Sequence, residues 1–118
     1  MKKFLFILRR LPHSGSHVQE SLDLILTAAA FDQSVSLLFV DDGVYQLKTR
    51  QQPESMGLKD TAAIFSALEL YNVQDLFVET ESLQSRNLQV DDLQLPVKCL
   101  SRQALSEFIG RFEVLIPD

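Results

Sequence analysis

Five short apolar runs are spaced along this chain of 118 residues, and none of them alternates cleanly between apolar and polar positions. An unbroken apolar run that is rich in β-forming residues is typical of a strand that helices cover on both faces. The pattern therefore predicts five strands, at residues 4–8, 35–40, 76–78, 97–100 and 112–116, and the fourth has the weakest signal.

Between these runs, apolar residues recur at intervals of three and four, which is typical of a helix with one apolar face. The clearest stripes are Val18, Leu22, Ile25, Leu26 and Ala29; Ile64, Leu68 and Tyr71; and Leu105, Phe108 and Ile109. Strands and helices that alternate in this order form a parallel sheet joined by right-handed crossovers. We therefore predict a single α/β domain over residues 1–118, a three-layer α/β/α sandwich with a five-stranded, mainly parallel sheet.

Local signals also predict where some elements end. The last helix should have Ser101 as its N-cap and Gly110 as its C′ residue, because these residue types favour those positions. Residues 48–59 and 86–96 show no periodicity, and we interpret both segments as surface excursions.

Composition and charge exclude several classes of protein. The net charge is −5 and the Lys and Arg residues are scattered, so no basic surface for direct nucleic-acid binding is indicated. The single cysteine, Cys99, excludes an internal disulfide and a zinc site with paired Cys ligands, which fits a reducing compartment. Arg9 and Arg10 interrupt the first apolar run, which is shorter than the roughly seven residues of a signal peptide. We expect a cytoplasmic protein without membrane association.

The loop after the first strand, residues 11–17, is the first place to look for a ligand, since ligands bind at the carboxyl ends of parallel strands. Its small polar residues offer a weak match to a phosphate or nucleotide site, but Ser14 or Ser16 serves equally well as a helix cap. His13 and His17 have a spacing that zinc accepts, yet no Cys or acidic third ligand lies near them. We predict no metal and no cofactor.

Asp41 and Asp42 end the second strand and offer two adjacent carboxylates that magnesium could bind, as in receiver domains. Receiver chemistry also needs an acidic pair after the first strand, where this chain has Arg9 and Arg10. The favoured interpretation is that one aspartate caps a short helix over residues 43–47.

Cys99 is the only side chain able to carry sulfur covalently. A carrier thiol must be exposed and ionise easily, and the neighbouring Lys98 and Arg102 would help. However, Cys99 lies in an apolar run between Val97 and Leu100, where a free cysteine usually behaves as a small hydrophobic residue. We predict that Cys99 is buried and inert, and keep a sulfur-carrier role as the alternative.

The run Asp42-Gly43-Val44-Tyr45-Gln46-Leu47 after an apolar strand is the most specific motif in the chain. Shorter segments accompany it at residues 12–15, 20–23, 28–31, 52–53, 70–73, 77–79, 82–83 and 112–115. In order and spacing these segments resemble the TusC/DsrF family of sulfur-relay subunits, and the resemblance covers almost the whole chain.

The resemblance implies a subunit of a three-protein complex that is a dimer of heterotrimers, with TusB/DsrH-like and TusD/DsrE-like sister subunits. The TusD/DsrE-like sister carries the active cysteine. Such complexes act either in 2-thiouridine formation in tRNA or in dissimilatory sulfur oxidation, and the tRNA role is favoured. Self-association of the chain alone is also compatible with this family.

The resemblance further implies that this chain is not catalytic. In the sister subunit the active cysteine lies a few residues before a segment that resembles residues 83–86 here. The equivalent positions in this chain are Val78 and Glu79, and neither residue contains sulfur. Cys99 lies near the next strand and does not replace the missing thiol.

A supporting subunit must bind its neighbours. Val44, Tyr45 and Leu47 are apolar or amphipathic residues in a region that should otherwise be polar. We therefore predict that the segment formed by Asp42, Gly43, Val44, Tyr45, Gln46 and Leu47 contributes to a subunit interface.

Overall fold

The computed structural model describes residues 2–9, 17–31, 33–47, 73, 75–93 and 96–117, without the side chains of residues 17–22 and 46. Four predictions fall outside the described residues. They are the candidate ligand loop at residues 11–17 and the zinc pair of His13 with His17, of which only the His17 backbone is described, together with the excursion at residues 48–59 and the helical stripe of residues 64–71.

All five predicted strands are present and form one parallel sheet. They are β1 (Lys3–Leu8), β2 (Ser34–Phe39), β3 (Asp75–Glu79), β4 (Lys98–Leu100) and β5 (Val114–Pro117). The strand order is β4-β3-β2-β1-β5, so the hydrogen bonds of β1 go to β2 on one side and to β5 on the other. β4 and β5 are the two edge strands.

Helices connect these strands and cover both faces of the sheet, which confirms the predicted α/β/α sandwich. The α-helices in the described residues are α1 (His17–Ala30), α2 (Thr80–Ser85) and α3 (Arg102–Ile109). Within the same residues, the 3₁₀ helices Asp41–Leu47 and Val90–Asp92 follow β2 and α2 respectively.

The core has two parts because successive strand residues point to opposite faces of the sheet. Phe6 of β1 packs on the face that carries α1 and α2, whereas its neighbour Leu5 packs on the face that carries α3. On the α3 side, Phe108 lies over Phe77 with ring centroids 4.5 Å apart. Burial of such side chains on both faces holds the strand ends, and the loops that follow them, in fixed positions.

The limits of α3 differ in detail from the prediction. Ser101 does occupy the N-cap position, but its side chain makes no capping hydrogen bond. Gly110 is the C-cap, and its φ of −64° is right-handed rather than the left-handed conformation of a C′ glycine. The reason is that the amide of Gly110 still donates to the carbonyl oxygen of Ser106, at 3.3 Å, and so continues the helical pattern.

The predicted surface excursion at residues 86–96 is anchored to the core. Leu88 and Leu93 are both buried, and the 3₁₀ helix between them is closed by reciprocal hydrogen bonds of Gln89 and Asp92. Apolar positions that are five residues apart follow neither helical nor strand periodicity, which explains why the sequence pattern alone missed this anchoring.

Candidate functional site

Polar side chains converge at the carboxyl ends of the central strands. The 3₁₀ helix Asp41–Leu47, helix α2 and helix α3 begin directly after β2, β3 and β4, and the carboxyl ends of parallel strands lie at the same edge of the sheet. We call the group that meets there the carboxyl-end cluster; it consists of Asp41, Asp42, Glu79, Glu81, Ser82, Arg86 and Arg102.

Glu79 and Ser82 form the buried centre of the carboxyl-end cluster, with 5% and 0% of their surfaces exposed. The Ser82 hydroxyl donates a hydrogen bond to Oε1 of Glu79. The same hydroxyl accepts a hydrogen bond of 2.8 Å from the backbone amide of Asp41, which adopts a φ of 49° in the left-handed region. Ser82 therefore joins the end of β3 to the start of the 3₁₀ helix after β2.

Arg102 covers the Glu79 carboxylate from the solvent side. Its Nε lies 3.3 Å from Oε2 of Glu79, and its terminal nitrogen Nη2 lies 3.2 Å from Oε1, so both carboxylate oxygens accept from one guanidinium. The Arg102 side chain is 64% exposed and the Glu79 side chain only 7%. The bond therefore joins a buried anion to a solvated cation, and both carboxylate oxygens have partners.

The electrostatics of Glu79 follow from this geometry. Burial acts to raise the pKa of the Glu79 carboxyl. The hydrogen bonds from Arg102 and Ser82, together with the positive charges of Arg102 and Arg86, outweigh burial and hold that pKa below its ordinary value of 4.5. Glu79 is thus a negative charge at neutral pH, which makes it a poor proton donor, and its lowered pKa also makes it a weak base.

Two further contacts complete the carboxyl-end cluster. Arg86 donates through Nε to Oδ1 of Asp42 at 3.1 Å and through Nη1 to the carbonyl oxygen of Ser82 at 3.2 Å. The Glu81 carboxylate accepts a hydrogen bond of 2.8 Å from the backbone amide of Arg102, the first residue of α3. Glu81 therefore supplies the cap that the Ser101 side chain does not.

Gly43 sets how closely the 3₁₀ helix approaches the end of β1. A Cβ atom at this position would lie 1.9 Å from the carbonyl oxygen of Leu8 and 2.6 Å from its carbonyl carbon. Backbone atoms cannot move aside as a flexible side chain can, so only glycine fits here without displacing a strand.

The subunit interface at residues 42–47 stays a prediction, and burial within this chain limits which of its side chains could contribute. Val44 and Leu47 are completely buried among the core residues of this chain, and Gly43 is buried as well. These side chains are therefore not available to a partner; the apolar character of the segment reflects its packing under the sheet edge. Asp42 and Tyr45 are half-buried, so for them the interface stays a prediction. The side chain of Gln46 is outside the described residues.

The prediction that Cys99 is buried is wrong, because the structure exposes its thiol. β4 has only three residues and lies at the edge of the sheet, where the described residues place no strand on its outer side. An apolar run at an edge is covered less than the same run in the middle of a sheet. Exposure meets one of the requirements for a reactive thiol.

The magnesium interpretation of Asp41 and Asp42 finds no support in this geometry, since the Asp42 carboxylate is paired with Arg86. Within the described ranges, no group of three or more His, Cys, Asp or Glu residues is placed to hold a metal ion. None of the helices in the part of the chain that the structure describes is long and apolar enough to cross a membrane.

The bonds among Glu79, Ser82 and Arg102 were not foreseen from the sequence. A signal was nevertheless present: Glu79 ends an apolar strand, and Arg102 follows the next strand along the chain. Because neighbouring parallel strands bring their carboxyl ends together, an acid and a base at those two positions are expected to meet.

Comparison with known proteins agrees with this architecture. The sequence model of the DsrE/DsrF-like family matches residues 2–116. A protein named TusC homolog from Pseudomonas aeruginosa is 39% identical over 115 residues, which cover 98% of this chain and 97% of that protein. The intracellular sulfur oxidation protein DsrF of Allochromatium vinosum is 40% identical over 93 residues, covering 79% of this chain and 68% of that protein.

A solved structure shares the fold over its full length. The crystal structure of the ychN protein from E. coli superimposes with a TM-score of 0.80 over 100% of both chains, at 15% sequence identity. At this low identity the likeness shows the fold alone.

Proposed function

Because this chain belongs to the DsrE/DsrF-like family, we propose that it is a non-catalytic subunit of a sulfur-relay complex, in which a sister subunit carries the mobile sulfur. Its relatives named TusC homolog and DsrF support a place in such a relay. The proposal assigns this chain the task of holding and orienting its neighbours rather than that of forming a persulfide.

The state of Glu79 is the observation that carries this proposal. Persulfide formation needs a nucleophilic thiolate that can reach a sulfur donor. At the end of β3, Val78 is fully buried and Glu79 is a carboxylate bound by Ser82 and Arg102. A carboxylate held in this way cannot accept sulfane sulfur, and its negative charge disfavours the approach of an anionic persulfide.

We propose TusB/DsrH-like and TusD/DsrE-like subunits as the partners, in a dimer of heterotrimers in the cytoplasm. The net charge of −5 supports a division of labour in which another component contacts RNA. Among the two relay types, the tRNA 2-thiouridine pathway is favoured, because the TusC homolog matches nearly the whole chain and DsrF a shorter part of it.

A reconstituted relay tests the non-catalytic role. The three subunits are co-expressed and then loaded with sulfur by a cysteine desulfurase and its relay proteins. Intact-mass spectrometry detects each persulfide as an added sulfur atom of about 32 Da. We expect the adduct on the sister subunit and none on this chain. The matched variants are Cys99→Ser here and Cys→Ser at the active position of the sister.

The two variants separate the alternatives. If this chain only supports the relay, Cys99→Ser transfers sulfur at the wild-type rate and the variant sister abolishes transfer. A persulfide on Cys99 that is passed onward, together with loss of transfer in Cys99→Ser, would instead establish the chain as a sulfur carrier. The exposure of Cys99 makes this control necessary.

Genetic complementation tests the tRNA assignment. A bacterial strain that lacks its TusC subunit receives the genes for this chain and its two sisters, and nucleosides from its tRNA are quantified by mass spectrometry. Restoration of 2-thiouridine derivatives is the expected result. If this chain assembles with its two sister subunits but restores no thiolated nucleoside, the sulfur-oxidation role becomes the better assignment.

A further inference from the structure

We draw no further inference here: the strongest candidate, the apolar groove that β1, α1 and β5 line beside the exposed side chains of Phe31 and Leu24, carries no proposal because nothing in the described part of the chain shows what covers it.

Discussion

At the carboxyl ends of the strands, polar side chains find their partners within the chain, whereas at the amino ends large apolar side chains border solvent. Glu79 and Ser82 are buried and hydrogen-bonded within the chain, while Phe31 and Leu24 are more than half exposed. The carboxyl-end cluster ties together the segments that follow β2, β3 and β4, whereas Phe31 and Leu24 contribute little buried surface to the core.

The largest expected effect comes from Gly43→Ala. The added methyl group would meet the Leu8 backbone, so β1 or the 3₁₀ helix must move, and we expect a loss of about 3 kcal/mol or more in the free energy of unfolding. Urea denaturation followed by circular dichroism measures this loss. Gly110→Ala is the matched control, since a Cβ there is no closer than 3.4 Å to any atom and φ is right-handed. A neutral or slightly stabilising result is expected for Gly110→Ala.

Ser82→Ala should have the next largest effect. It removes the acceptor of the part-buried Asp41 amide and one of the donors to the buried Glu79 carboxylate, which keeps only its hydrogen bonds from Arg102. We expect a loss of about 1 to 3 kcal/mol by denaturant titration. Ser85→Ala, which removes an exposed hydroxyl bonded to the Glu81 carbonyl oxygen, should cost about 0.5 kcal/mol or less. Equal losses in the two variants would contradict a special role for the buried serine.

Glu79→Gln tests whether the negative charge of the carboxyl-end cluster's buried carboxylate stabilises the fold. At pH 7 we expect a loss of about 1 kcal/mol, because a neutral amide replaces a charge-assisted acceptor. The pKa of Glu79 is lowered in the folded state, so the wild-type charge stabilises the fold above the ordinary value of 4.5. This contribution is lost as the pH falls below 4.5 through the folded-state pKa.

Stability measured from pH 7 down to pH 3 checks this prediction. The difference between wild type and Glu79→Gln should shrink toward the acid end of that range. Glu107→Gln is the control, because its ion pair with Arg111 is exposed on both sides, and it should change stability by less than about 0.5 kcal/mol. A difference between wild type and Glu79→Gln that stays constant with pH would argue that shape rather than charge matters at this position.

Phe31→Ala is expected to have the smallest effect on folding. An exposed side chain loses little burial when it is truncated, so the free energy of unfolding should change by about 0.5 kcal/mol or less. A large loss of stability in thermal denaturation would mean that Phe31 belongs to the core, and would remove the contrast between the two ends of the sheet.

Much of the fold was readable in the sequence because burial on both faces leaves a direct trace in composition. Each of the five predicted runs overlaps a strand, and the stripes of α1 and α3 lie on their observed helices. Strand order is different, since it depends on which strands pair across the sheet. The sequence could not show that β4 is an edge strand, and this is why Cys99 was misjudged.

The site was less predictable for a related reason. The motif at residues 42–47 stood out, but apolar residues mark both core and interface, and only the fold shows that Val44 and Leu47 belong to the core. Glu79 was recognised as a position without sulfur, yet its bond to Arg102 depends on two strand ends that are adjacent in space and distant in sequence. Phe31 follows three alanines at the end of a helix, where nothing in the pattern marks it as exposed.

The hydrogen bond from the Arg102 amide to the Glu81 carboxylate connects the two helical layers of the sandwich around the end of the sheet. Helix α2 packs on one face and α3 on the other, and this hydrogen bond of 2.8 Å crosses between them. Local unfolding of either helix breaks this bond. When α2 unfolds, the first turn of α3 therefore loses its cap. In native-state hydrogen exchange, the Arg102 amide should therefore exchange together with the amides of α2, as one cooperative unit.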